Sequence, residues 1–239
     1  MLQALIASLI ALALGFGLLR LSDLILKNIE DSEREWCEHM LAQRAENKAE
    51  DTFSVANFSG KDHKLLILFL GLFLVVGFVV AYRITDLPHM VAAIGFVSVC
   101  LALGWADIRA KLLPDALTLP LIWSGMLLQL YPATQTVGIE SSVLGAAVGY
   151  LLFWLIAKAY YVVRKRDGLG HGDMKLLAAS GAWLGLHVLP GIILASSVMA
   201  LAWHGFLMFR KKSSMTTQLA FGPWIVASIV FYVVLFLPA

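Results

Sequence analysis

Polar breaks divide the chain into long apolar blocks, and those blocks predict its elements. Eight candidate spans emerge: Met1–Leu19, Leu65–Tyr82, His89–Ala106, Ala116–Tyr131, Ser141–Val163, Met174–His187, Val188–Phe209 and Leu219–Leu237. Each is a continuous apolar run rather than a period-two alternation, which predicts helices and argues against a transmembrane barrel. The sixth is short, and its junction with the seventh rests on Leu189-Pro190-Gly191. The fold class expected is an all-α integral membrane protein, a polytopic bundle of about eight transmembrane helices. Two parts follow: residues 1–64, the first span plus an acidic loop, and residues 65–239, a membrane-embedded core.

Composition agrees. Of 239 residues, 60% are hydrophobic and 14% charged, with a mean hydropathy of +0.82. A soluble domain is about 45–50% apolar and about 25% charged. This balance excludes a soluble enzyme, a disordered chain and a large extramembrane domain. The lipid bilayer is thus the first expected partner. A net charge of +2 argues against a nucleic-acid partner, which calls for a basic surface. Cys37 and Cys100 are too few for a disulfide framework or a four-cysteine zinc site.

Charge tests the span count independently. Eight crossings put four connections on one face: Arg20–Lys64, Asp107–Asp115, Arg164–Asp173 and Arg210–Gln218. With Lys175 just beyond one of them, they hold 16 of the 18 Lys and Arg residues. Basic residues collect on the cytoplasmic side, so these connections are expected there and both termini outside. The first segment lacks the basic residue that precedes a secretory signal's apolar run. Arg20 comes after the run, favouring a retained span. The one sizeable polar stretch, Leu21–Lys64, carries eight acids between Glu30 and Asp51 and is expected to be partly helical and solvated.

Against that topology the informative residues are carboxylates at the membrane boundary, where ionisable groups are costly and are functional candidates. Asp107 ends span three, Asp115 follows Leu113-Pro114 at the start of span four, and Asp173 precedes span six. Parity alone puts all three on one face. Each also has a structural reading. Asp115 and Asp173 stand where a helix N-cap belongs, and Arg109 and Lys111 could screen Asp107. Glycines at 168, 170 and 172 weigh against a simple cap at Asp173, because they let the backbone adopt positive φ and approach another chain closely. Gly181-x-x-x-Gly185 further along favours tight helix packing.

Two carboxylates held together at a partly dry site cannot both ionise and share one proton. The ionised one can take a proton from water while the other polarises a carbonyl. That is aspartic peptide hydrolysis, which needs no metal. Competing chemistries fit less well: no G-x-S-x-G or H-E-x-x-H occurs, Cys37 lies in the acidic loop, and Cys100 lies in an apolar span.

At these residues the sequence resembles the type IV prepilin peptidases, which process pilins and type II secretion pseudopilins. Asp107-Ile-Arg-Ala-Lys-Leu-Leu-Pro114-Asp115-Ala-Leu-Thr-Leu-Pro120 looks like the family's D-x5-L-P-D-x-L-T-L-P element. Gly168-Leu-Gly170-His-Gly172-Asp173-Met-Lys175-Leu176 matches its G-x-G-x-G-D-x-K-L, and Phe221-Gly222-Pro223 its F-G-P. The likeness covers roughly residues 95–230. It implies that the catalytic pair is Asp107 and Asp173, in a peptidase core spanning residues 65–239. Gly168, Gly170, Gly172, Lys175, Pro114, Asp115, Gly222 and Pro223 then support the motifs. Asp115 keeps its cap reading, and Lys175 either tunes Asp173 or snorkels to headgroups.

The resemblance also implies a substrate, a prepilin or pseudopilin with a short basic leader and an apolar helix. Cleavage would fall at the cytoplasmic face of the inner membrane. No metal or cofactor is expected. Longer family members carry paired C-x-x-C elements in the first cytoplasmic loop and also methylate the new N-terminus. This loop has one cysteine, so methylation, with S-adenosylmethionine as donor, is the alternative activity. A transporter using its aspartates for ion passage, or a membrane subunit of a secretion machine, is the alternative outside that chemistry. The acids of Glu30–Asp51 could attract a basic leader, a hypothesis that fails if neutralising them leaves cleavage unchanged at low salt. Trp105, Trp123, Trp183 and Trp224 are expected in interface belts, and His187 and His204 as packed or interfacial groups.

Overall fold

The computed structural model describes residues 2–44, 63–165, 170–210 and 220–236. Gly168 lies outside them, as does the acidic segment from residue 45 to 62. Among the described residues the chain forms eight α-helices and one 3-10 turn, with no strand. They are α1 (Leu2–Arg44), α2 (His63–Arg83), α3 (Leu87–Ala110), α4 (Asp115–Leu128), α5 (Ile139–Arg164), α6 (His171–Leu184), α7 (Leu189–Phe209) and α8 (Gly222–Phe236). Each apolar block has become one helix. α1 runs beyond its block, carrying the first part of the polar stretch as helix to Arg44.

Length separates the helices into two groups. Four stretches are long and apolar enough to cross a membrane: Ala4–Ile29, Leu87–Ala110, Ile139–Val163 and Leu186–Phe209. By contrast α4 and α6 have 14 residues each, which at helical rise is about 21 Å, short of the roughly 30 Å hydrocarbon core. Of the two, α6 is buried along nearly its whole length, from Asp173 to Leu184, whereas α4 packs on it with one face, Leu117, Thr118, Leu121 and Gly125, and leaves the other exposed.

Close approach depends on small residues. Ala4, Ala7 and Ala11 line the buried face of α1, where a side chain at Gly77 of α2 would strike Ala11 and one at Gly15 would strike Phe73. The seam between α5 and α6 is tighter still. A Cβ on Gly145 would collide with the backbone of Gly181 and the reverse, and one on Gly149 would lie 2.8 Å from the Leu177 carbonyl oxygen. Ser142 Oγ donates to the Ala182 carbonyl across the same seam at 2.6 Å.

Gly181 thus packs helices as its spacing suggested, and Gly185, where a Cβ would lie 2.8 Å from Ser141 Oγ, does so too and has a second role. With φ +81° it terminates α6, and the 3-10 turn Leu186–Val188 leads into α7. The break therefore falls at Gly185 and not at Pro190, which sits in the first turn of α7, where a missing N–H costs nothing.

Two tryptophans depart from the interface-belt expectation. Trp105 is 1% exposed and meets Phe69 edge-on. Trp183 stacks on Phe96 at 4.6 Å and donates to the Leu121 carbonyl at 2.8 Å. Each indole N–H has an internal acceptor (Asp23 for Trp105), which removes the reason to sit at headgroup level. Trp123 remains exposed, Trp224 and His204 are partly buried, and His187 is exposed.

Candidate active site

Alternate helices run in opposite directions, so the C-terminal end of α3 meets the N-terminal ends of α4, α6 and α8. Asp107 leaves the last turn of α3 and is 5% exposed; Asp173 lies in the first turn of α6 and is 7% exposed. These carboxyls, 66 residues apart in the chain, lie within electrostatic reach of each other. Oδ2 of Asp107 is buried without a hydrogen-bond partner among the described residues. A buried acceptor left open is costly and is unusual unless something else is meant to fill it.

α8 shapes the other wall. Its first residue, Gly222, directs a backbone N–H at the Asp107 carboxyl. That donor is one of the amides a helix start leaves unsatisfied, and the next residue, Pro223, has none to offer. A Cβ on Gly222 would lie 2.6 Å from Asp107 Oδ2, so only glycine lets the helix start come this close. Pro223 thereby fixes the entry of α8, while Trp224 and Ile225 return their amides to the Phe221 carbonyl.

The glycines before Asp173 also act through space, and this corrects the expectation of positive φ. Gly170 is extended, at φ −69° and ψ 137°, and caps α6, while Gly172 is helical. A Cβ on Gly172 would lie 2.7 Å from Leu113 Cβ, and one on Gly170 would lie 3.4 Å from Asp173 Oδ2. Absent side chains let the loop after α3 press against the start of α6.

Neither Asp173 nor Asp115 caps its helix. Gly170 and Pro114 hold the cap positions, and no side-chain cap bond forms at either helix. Asp115 instead points outward and is ion-paired with Lys175 of α6. Lys175 therefore neither snorkels freely nor serves Asp173 first; it ties α6 to α4. Of the two bases expected to screen Asp107, Lys111 is near enough to act on it, whereas Arg109 pairs with Asp23 at 3.6 Å. Asp23 drew no notice in the sequence, because its partners are more than 80 residues away.

Among the described residues no group of three or more His, Cys, Asp or Glu side chains comes together as a metal site. A cavity of about 300 Å3 opens at the opposite end of the bundle, between Phe96, Gln129, Trp183 and Tyr232, far from both carboxyls. The site is thus two shielded carboxyls, one backbone donor and a wall of glycines.

A family model described as the type IV leader peptidase family matches residues 94–205. That range includes Asp107 and Asp173 and leaves out α1, α2 and α8. Three relatives share the printed name prepilin leader peptidase/N-methyltransferase. That of Dickeya chrysanthemi is 46% identical over 129 residues, 53% of this chain and 44% of the relative. That of Pectobacterium carotovorum subsp. carotovorum is 40% identical over 61% of this chain and 52% of the relative. That of Escherichia coli K12 is 35% identical over 64% of this chain and 68% of the relative. The chain thus spans about half the length of the first two. No solved structure matches.

Proposed function

The chain belongs to the type IV leader peptidase family, and from that premise we propose that it is a membrane-embedded aspartic endopeptidase. Its substrate is a type IV prepilin or type II secretion pseudopilin, cut between a basic leader and an apolar helix. The observation that carries this reading is the meeting of two shielded carboxyls, Asp107 and Asp173, at one end of the bundle, with an oxygen of Asp107 left unpartnered.

Two buried acids that feel each other's charge, away from bulk water, hold one proton between them. The ionised carboxyl takes a proton from water as the water oxygen attacks the scissile carbonyl carbon. The protonated carboxyl hydrogen-bonds the carbonyl oxygen, supporting its developing charge. When the tetrahedral intermediate collapses, the C–N bond breaks and the leaving nitrogen takes a proton from the acid pair. The Gly222 N–H, facing the Asp107 carboxyl, favours its ionised form.

The same end of the bundle carries Arg109, Lys111, Lys165 and Arg210, while Arg83 is at the other. This bias supports a multi-pass protein of the inner membrane, with the site cytoplasmic and both termini outside. A pilin helix lying in the bilayer would offer its leader junction at that level.

The test is incubation of the full chain in detergent with a purified prepilin, followed by mass measurement of both fragments. A single cut at the leader junction is expected. An intact substrate, together with proton or cation flux in liposomes, would instead favour a transporter. The relatives' names include methyl transfer, and adding S-adenosylmethionine to the same reaction asks for it separately: a gain of one methyl mass on the cleaved pilin would make the chain bifunctional.

A further inference from the structure

Behind Asp107, on the side of α3 turned away from α8, the chain has built a second contact. α1 continues past the apolar run that would anchor it and stays packed, with Leu19, Ser22 and Leu26 buried. Beside that face, Asp23 Oδ1 accepts from Trp105 Nε1 at 3.0 Å and lies 3.6 Å from Arg109 Nη1. The Arg109 guanidinium covers the Trp105 ring at 5.1 Å. Trp105 and Arg109 are four residues apart and share one face of α3. Asp107 lies midway between them and so faces the other way, towards Gly222.

We propose that Asp23 is a positioning residue: by holding Trp105 and Arg109 it sets the last turn of α3, from which Asp107 projects into the site. This rests on the proposed peptidase activity. Helix ends fray because their final carbonyls lack helical partners. Here the turn closes on Lys111, at φ 51°, whose N–H returns to the Asp107 carbonyl. Beyond it the chain runs irregularly to α4, so nothing helical continues the register. A grip on Trp105 and Arg109 from α1 supplies the missing restraint one residue pair before and after Asp107. α1 lies outside residues 94–205, so the inference makes the first helix a working part of the site rather than only an anchor.

The full chain in detergent is compared as wild type, Asp23→Ala, Asp23→Asn, Trp105→Phe and Asp23→Ala/Trp105→Phe. Two readouts are taken: prepilin cleavage under steady-state conditions, and amide hydrogen exchange across residues 106–111. Phenylalanine keeps a six-membered ring in the pocket but removes the N–H together with the rest of the five-membered ring, so Asp23→Asn, which keeps size and packing, is the variant that folds even if others do not.

The expected result is a fall of about tenfold in kcat for Asp23→Ala, in keeping with a small misplacement of a catalytic group, with KM changed less than about twofold. Trp105→Phe shows a similar fall, and the double variant is no slower than the worse single one. Asp23→Asn, which keeps the acceptor oxygen, stays within about threefold of wild type. Exchange over 106–111 speeds up in Asp23→Ala and Trp105→Phe.

Unchanged kcat and exchange in Asp23→Ala would overturn the proposal, and so would losses that multiply in the double variant. A lower melting temperature with kcat per folded molecule intact would overturn it too. If wild type cleaves nothing, the peptidase reading fails on its own, and the exchange data still decide whether Asp23 holds the end of α3.

Discussion

Asp107 and Asp115 are eight residues apart in one stretch of chain, at one end of the bundle, and the fold treats them oppositely. Asp107 is turned inward, shielded, with one oxygen open and Asp173 within reach. Asp115 is turned outward, 58% exposed, and paired with Lys175. The first arrangement is expensive to maintain and the second is an ordinary interhelix tie. Residue type and membrane face are the same in both; the difference lies in what each carboxyl touches. Chemistry belongs where the cost of burial is borne without an obvious structural return.

The contrast can be broken by moving a carboxyl without removing it. Asp107→Glu and Asp173→Glu keep the acid but push it one methylene into a packed wall, and a loss of about 100-fold in cleavage rate is expected. Asp115→Glu, which has room, should cleave normally in the same assay. Crowding the site from the other side gives the next largest effect. Gly222→Ala would put a methyl 2.6 Å from Asp107 Oδ2, and a fall of about 10- to 100-fold in kcat is expected. Gly170→Ala, where the added carbon would be 3.4 Å from Asp173 Oδ2, should stay within about threefold.

A third substitution separates stability from chemistry. Gly145→Ala forces the backbones of α5 and α6 apart, at a cost of about 1–3 kcal/mol. Thermal unfolding in detergent should show it, with the rate per folded molecule unchanged. The smallest effect belongs to the outer pair. An exposed ion pair contributes about 1 kcal/mol or less, so Lys175→Met should alter cleavage by no more than about fivefold and lose its remaining effect at high salt.

Much of this was legible in the chain itself. Every apolar block is a helix, and counting blocks put Asp107 and Asp173 at one end before any contact was known. The pattern marked the sixth block as short, but it could not show that α4 stops at Leu128, since flanking apolar residues in turns look the same as helical ones. Long-range partners left no trace either. Asp23 meets Trp105 across 82 residues, and Asp115 meets Lys175 across 60, and no local periodicity encodes such a meeting. Of the two properties read into the glycines before Asp173, close approach holds and positive φ does not: Gly172 is needed for the space beside Leu113, not for a left-handed backbone. Gly145 and Gly149, spaced as small residues are in tight helix pairs, were the signal for the α5–α6 seam that went unread.

The most direct measurement sets Asp107→Asn, Asp173→Asn and Asp115→Asn side by side in single-turnover cleavage of one prepilin, with membrane insertion checked for each. Asparagine keeps the size of the side chain but cannot share a proton. The expected result is a loss of about 10²- to 10⁴-fold for the two buried positions, with Asp115→Asn within about fivefold of wild type. Near-normal cleavage by Asp107→Asn or Asp173→Asn, or an equal collapse in Asp115→Asn, would contradict the assignment of the buried pair as the acids that do the chemistry.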